Sequence, residues 1–231
     1  FSLKLLIVWG WREQNVAKAR RGFYSLKMID DSKKIIMDYA LAGATLRENF
    51  LTTQAGTIAS MAKVIAASLA QDGKILFCGN GGSAADAQHL AAEFINRFLM
   101  DRPPLPGIAL TTDTSALTAI GNDFGFEQIF SKQVRGLGRE GDVLLAISTS
   151  GASPNITEAL KAARELGMIT MGLTGKGGGD MPPLCDYLLD VPDDSTALIQ
   201  EIHITVGHLL CRLVDYYLFE NVPSLQPHLK A

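Results

Sequence analysis

The sequence predicts an α/β domain, a doubly wound parallel sheet of about five strands covered on both faces by helices and preceded by a helical extension. Three observations predict it. Short, almost wholly apolar runs alternate with segments of helical periodicity, as strands buried on both faces require. Two of those runs end directly in loops of glycine, asparagine, serine and threonine that open a helix. The chain has 231 residues, 47% of them hydrophobic and 19% charged, enough for one buried core and too little for two generous ones.

Taken in order, Phe1–Lys27 mixes an apolar run (Leu5–Trp11) with a basic pair, Arg20 and Arg21. No small-residue cleavage site follows it, so it reads as an upstream extension, with one domain expected over 28–223 and a tail over 224–231. From Asp30 to Gln71 the apolar residues recur at helical spacing, predicting one or two long helices. Lys74–Gly79 is a short strand, followed by Asn80-Gly81-Gly82-Ser83 and an alanine-rich helix expected to reach about Met100, before Pro103, Pro104 and Pro106. Gly107–Thr112 reads as the second strand, Ser115–Ile120 as helix, Gly121–Gly125 as a turn and Phe126–Val134 as helix. The second half repeats the design. Strand Asp142–Ser148 leads into the small-residue loop Thr149–Pro154, then helix Asn155–Leu166 and strand Met168–Thr174. Tyr187–Val191 is the last strand, and Ser195–Phe219 a long amphipathic helix capped by Ser195.

Net charge is −3, which gives no electrostatic footprint for nucleic acid or an anionic membrane. No apolar run is expected to span a bilayer. Cys78, Cys185 and Cys211 are odd in number and lack metal or redox spacing, so they read as small core residues in a reducing compartment.

In an open parallel sheet, ligands bind beyond the carboxyl ends of the strands. Two loops occupy that position, Asn80–Ser83 and Ser148–Ser153. Their glycines let backbone approach an anion, and their hydroxyls and helix-start amides donate to it without adding charge. A single loop of this kind is as readily an ordinary cap, but two at equivalent points favour a shared phosphate site. Gly79–Ala84 also matches a dinucleotide fingerprint, GxGxxA. The acid that a ribose would need, Asp113, is about thirty residues on, further than the usual ~20.

His89 and Glu93 are four apart on the helix after the first loop and share one face, about 40° apart. That suits two ligands of one metal or a histidine holding a carboxylate, as well as an ordinary surface pair. On the last helix, His208 is eight residues from Gln200 and seven from Glu201; spacing alone allows either as its partner, while His203 points elsewhere.

The ordered set GNGGSAADAQHLAAE, AIGNDFGF, GREGDVLLAISTSGAS, LTGKGGG and IQEIH resembles the SIS-domain phosphoheptose isomerases, from about Met28 to Phe219. The resemblance implies the three-layer SIS fold and conversion of sedoheptulose 7-phosphate to D-glycero-D-manno-heptose 7-phosphate in bacterial heptose biosynthesis, in the cytoplasm. It implies a substrate site of Asn80, Gly81, Gly82, Ser83, Glu93, Asn122, Asp123, Ser148, Thr149, Ser150, Ser153 and Gln200. It implies one zinc per subunit on His89, Glu93, Gln200 and His208. For an enediol isomerisation, which needs a base at carbon and an acid at the carbonyl oxygen, Glu93 is assigned as base and His208 as acid. It also implies a homotetramer with sites shared between subunits; the mild acidity separately leads to the expectation of no nucleic-acid or membrane partner. A similar non-catalytic SIS subgroup, which binds the bacterial replication initiator, and an isomerase of another sugar phosphate are the alternatives.

Overall fold

The computed structural model describes residues 31–228. The expected extension over 1–27 and the expected domain start at Met28 lie outside them. The chain divides into two compact units, Phe1–Ala40 and Leu41–Ala231. Of the first, residues 31–40 are described; they are exposed and open the helix α1 (Ser32–Leu69).

In the second unit, α1 buries Phe50, Ile58, Met61, Ala62, Ile65 and Ala66. It leads to β1 (Ile75–Gly79), α2 (Gly82–Ile95), β2 (Gly107–Ala109), α3 (Thr114–Phe124) and α4 (Ser131–Leu137). Then follow β3 (Val143–Ser148), α5 (Pro154–Glu165), β4 (Ile169–Gly175), β5 (Tyr187–Val191) and α6 (Thr196–Asp215). Among the described residues the strands form one all-parallel sheet in the order β2-β1-β3-β4-β5. Every residue of β1 and β3 is buried, which explains why both read as unbroken apolar runs. One core joins α1, α2 and α6 to the sheet; the other joins α4 and α5 to its opposite face. The three-layer expectation holds.

Several boundaries differ from the expectations. The helix after the first loop stops at Ile95, well short of Met100. The Gly121–Gly125 stretch is not a turn: Gly121, Asn122 and Asp123 are the end of α3, and the break comes at Gly125, whose φ of 93° favours glycine. The segment Phe126–Val134 splits into a 3-10 turn, Phe126–Gln128, and the start of α4. The stretch expected as a tail begins in 3-10 turns, Val222–His228, where Leu225 is buried.

One described helical stretch, Thr196–Glu220, is long and apolar enough to cross a membrane, contrary to the expectation that none is. Half of it is buried within the protein, with Ile202, Val206, Leu210 and Val214 packed in the core. It is the core helix of this domain. The three cysteines are free, Cys78 and Cys211 buried. Burial pushes the thiols of Cys185 and Cys211 up to about 12, as inert core thiols require.

His203 is 1% exposed and its Nε2 donates to the Thr174 carbonyl at 3.0 Å, so Nδ1 is the bare nitrogen; it has no partner among the described residues. Burial pushes its pKa down to about 4. The unfolded chain therefore holds the extra proton between that value and the ordinary 6.5. Stability from a neutral His203 is expected to be complete above about pH 6.5 and lost toward pH 4, on the order of 3 kcal/mol. His203→Gln should flatten that part of a urea-unfolding profile taken against pH.

Candidate active site

The strand order reverses at β1 and β3, which are neighbours in register, Gly79 opposite Ile147. The loops after these two strands therefore lie side by side at the switch point, where open α/β sheets bind ligands. Asn80 and Asn155 lock them together: each side-chain amide donates to the other's oxygen at 2.8 Å. Asn155 is 2% exposed and was not singled out from the sequence, where it reads as an ordinary first-turn residue.

In the first loop Gly81 takes φ +55°, with open space where a β-carbon would stand. Ser83 is buried behind it. In the second loop the Ser148 and Ser153 hydroxyls are 3.2 Å apart, and the Ser150 hydroxyl accepts from the Ala152 amide at 3.2 Å. The Thr149 carbonyl accepts from Gly175 N at the end of β4. Gly151, at φ +65°, lies against the backbone of Gly178 and Gly179, and its carbonyl accepts from Asp180 N. The LTGKGGG segment thus buttresses the second loop from behind.

Helices α2 and α6 run side by side in the same direction. Close approach is possible because glycine faces a larger side chain twice along the seam. A β-carbon on Gly82 would stand 2.6 Å from Gln200 Nε2, and one on Gly207 would stand 2.6 Å from Leu90 Cδ2. Between and beyond these points the seam carries the polar groups. His89 Nε2 and His208 Nε2 are 2.9 Å apart, and Glu93 Oε1 is 3.6 Å from His89 Nε2. The Phe98 ring stacks on His208, centroids 5.4 Å apart. Glu93 is largely shielded, with 23% of its side chain exposed, whereas His89 is half open.

The structure therefore gathers His89, Glu93 and His208, and places the Gln200 carboxamide at the first loop, nearer the strand ends. Glu201, the alternative to Gln200 by spacing, has its carboxylate near Gly43 of α1. Two imidazole nitrogens and a carboxylate suit zinc chemically. They are not a closed cage: among the described residues no group of three or more His, Cys, Asp or Glu side chains is positioned to hold a metal. Asn122 and Asp123 are exposed, and Asn122 Nδ2 donates to Asp123 Oδ1 at 2.8 Å. Among the described residues no hydrogen bond ties them to either loop.

Asp86, one turn before His89, was missed by sequence reading. Burial pushes its carboxyl pKa up, while the nearby histidines His89 and His208 pull the other way. Its Oδ2 is buried without a partner among the described residues. Asp113, the acid a dinucleotide would need, instead caps α3, accepting from Ala116 N at 2.9 Å.

Paired hydroxyl-and-glycine loops at the switch point of a 2-1-3-4-5 sheet are the features of a SIS domain, and the SIS domain model matches residues 38–175. The phosphoheptose isomerase of Nitratidesulfovibrio vulgaris (strain Miyazaki F) is 63% identical over 204 residues, 88% of this chain and 98% of that protein. That of Desulfovibrio desulfuricans is 64% identical over 204 residues, 88% and 97% of the two chains. The solved structure of the phosphoheptose isomerase from Neisseria gonorrhoeae is 47% identical, with a TM-score of 0.75 over 79% of this chain and 98% of that one. The chain belongs to the SIS-domain family and, within it, to the phosphoheptose isomerases; it is an isomerase.

Proposed function

We propose that the chain interconverts sedoheptulose 7-phosphate and D-glycero-D-manno-heptose 7-phosphate through an enediol, in heptose biosynthesis for the lipopolysaccharide core. The observation that carries this reading is the contact of His208 with His89 beside the shielded Glu93, next to two loops suited to a phosphate. The names of the relatives support it and argue against the adaptor alternative.

The loops of Asn80, Gly81, Gly82 and Ser83 and of Ser148, Thr149, Ser150 and Ser153 hold the phosphate and the chain beside it. Gln200 at the first loop and Asn122 and Asp123 on α3 serve the sugar hydroxyls. Glu93 takes a proton from C1 of the ketose while His208 gives one to the C2 oxygen, forming the enediol. His208 then takes the proton of the C1 hydroxyl and Glu93 returns its proton to C2, which completes the aldose with no net gain or loss. His89, Glu93, His208 and Gln200 would hold one zinc per subunit. When bound, zinc polarises the carbonyl end as a Lewis acid. The exposed Leu41, Ile95, Leu99, Phe124 and Phe126 support a homotetramer that covers them and shares sites between subunits. A cytoplasmic location accords with free, inert cysteines.

Proton NMR of the product formed from sedoheptulose 7-phosphate tests the reading. An aldehyde-derived anomeric signal should grow with the untreated protein, vanish with a strong chelator and return on adding zinc. Unchanged ketose with zinc-loaded protein would exclude this substrate, and full turnover in chelator would exclude the metal.

A further inference from the structure

We infer that Arg102 is a positioning residue for the reaction, fixing Glu93 and His89 against His208 by tying the carboxyl ends of α2 and α6 together. The inference rests on the assignment of Glu93 and His208 to proton transfer. Arg102 follows α2 by seven residues, and its side chain is 2% exposed. Its Nε donates to Asp215 Oδ1 at 2.7 Å; Asp215 closes α6, seven residues beyond His208, and its side chain is 1% exposed. Its Nη2 donates to the Glu93 carbonyl at 2.9 Å, and its Nη1 to the Phe94 carbonyl at 2.8 Å and to Pro103 O at 3.1 Å.

Two features separate this from an ordinary buried ion pair. The carbonyls it caps are in the last turn of α2, and one belongs to Glu93 itself, so the guanidinium holds the backbone that aims the proposed base. The fork is also turned away from its ion partner. Asp215 Oδ2 is buried with no hydrogen-bond partner among the described residues, whereas a bidentate pairing would have satisfied it. The second arm of the guanidinium goes to α2 instead. One planar group with donors in a rigid fork thus spans both helices, a geometry that a lysine ammonium cannot reproduce.

The seam then has three fixed points: Gln200 on Gly82 near the strand ends, Leu90 on Gly207 midway, and Arg102 with Asp215 at the far end. Arg102 lies at the end remote from the phosphate loops. Losing it should disturb proton transfer and leave substrate capture alone.

The test uses Arg102→Lys and the double variant Arg102→Met, Asp215→Leu, which removes the pair without stranding a buried charge. In the full-length protein, kcat for the sugar phosphate should fall between about ten- and a hundredfold, the scale of a misplacement near 1 Å, with KM within about twofold. In substrate-free protein, nitrogen-15 spectra of the histidines should show the Nε2 resonances of His89 and His208 shifted in both variants, and that of His203 unmoved. A folded double variant with unchanged kcat and unchanged His89 and His208 signals would overturn the inference, as would a loss confined to KM. Shifted signals together with an active Glu93→Gln protein would instead keep the positioning role and remove the catalytic assignment it serves.

Discussion

Glu93→Gln is expected to lower turnover by about two to four orders of magnitude, the usual contribution of a positioned acid or base, with little change in thermal unfolding. The glutamine is nearly the same size and stays in the same largely shielded place, so the packing of α2 on α6 has no reason to change. It cannot accept a proton from carbon at any relevant pH. A parallel measurement of solvent deuterium entering C1 of the ketose separates this loss from weakened binding: exchange should fall with turnover, while KM moves little. Retained turnover in a folded Glu93→Gln protein would remove the base assignment outright.

Gly151→Ala should be the most disruptive small change in the second loop. A backbone at φ +65° costs an L-residue about 1–2 kcal/mol, and the new methyl would also collide with the Gly178 carbonyl. The neighbour is backbone, in a segment whose own glycines hold positive φ, so it cannot swing aside as a side chain would. The loop must move off the Gly178–Gly179 turn and carry Ser150 and Ser153 with it. A KM rise of about tenfold or more, with inorganic phosphate losing its inhibition in parallel, is the expected signature, since one lost charge-assisted hydrogen bond is worth about 1.5–3 kcal/mol. Gly177→Ala is the matched control. It also has positive φ, at 80°, but open space for the methyl, so it should destabilise without a comparable change in KM.

The strands were readable because the sheet is covered on both faces, which forces β1 and β3 to be apolar throughout. The two loops were readable because glycine and hydroxyl residues follow those strands directly. Helix ends were less so. Gly121 and Gly125 look alike in sequence, yet only Gly125 breaks α3, because a helix absorbs one interior glycine for about 1 kcal/mol. The α2 end at Ile95 has no local breaker until Pro103; it is capped by Arg102 from a distance, which no local pattern reveals. Asn155 and Arg102 escaped for the same reason. Each acquires its meaning from a partner far along the chain, 75 positions away for Asn155 and 113 for Arg102. The choice between Gln200 and Glu201 was likewise open to spacing and is separated only by what each side chain faces.

The two imidazoles that meet at 2.9 Å are 119 positions apart. Helix α6 must therefore dock before the histidines can face each other, although the phosphate loops need only β1, β3 and β4 with the turn that follows it. During folding, capacity to hold an anion should appear before capacity for proton transfer. Stopped-flow refolding with separate reporters for phosphate binding and for isomerisation would show a lag between them.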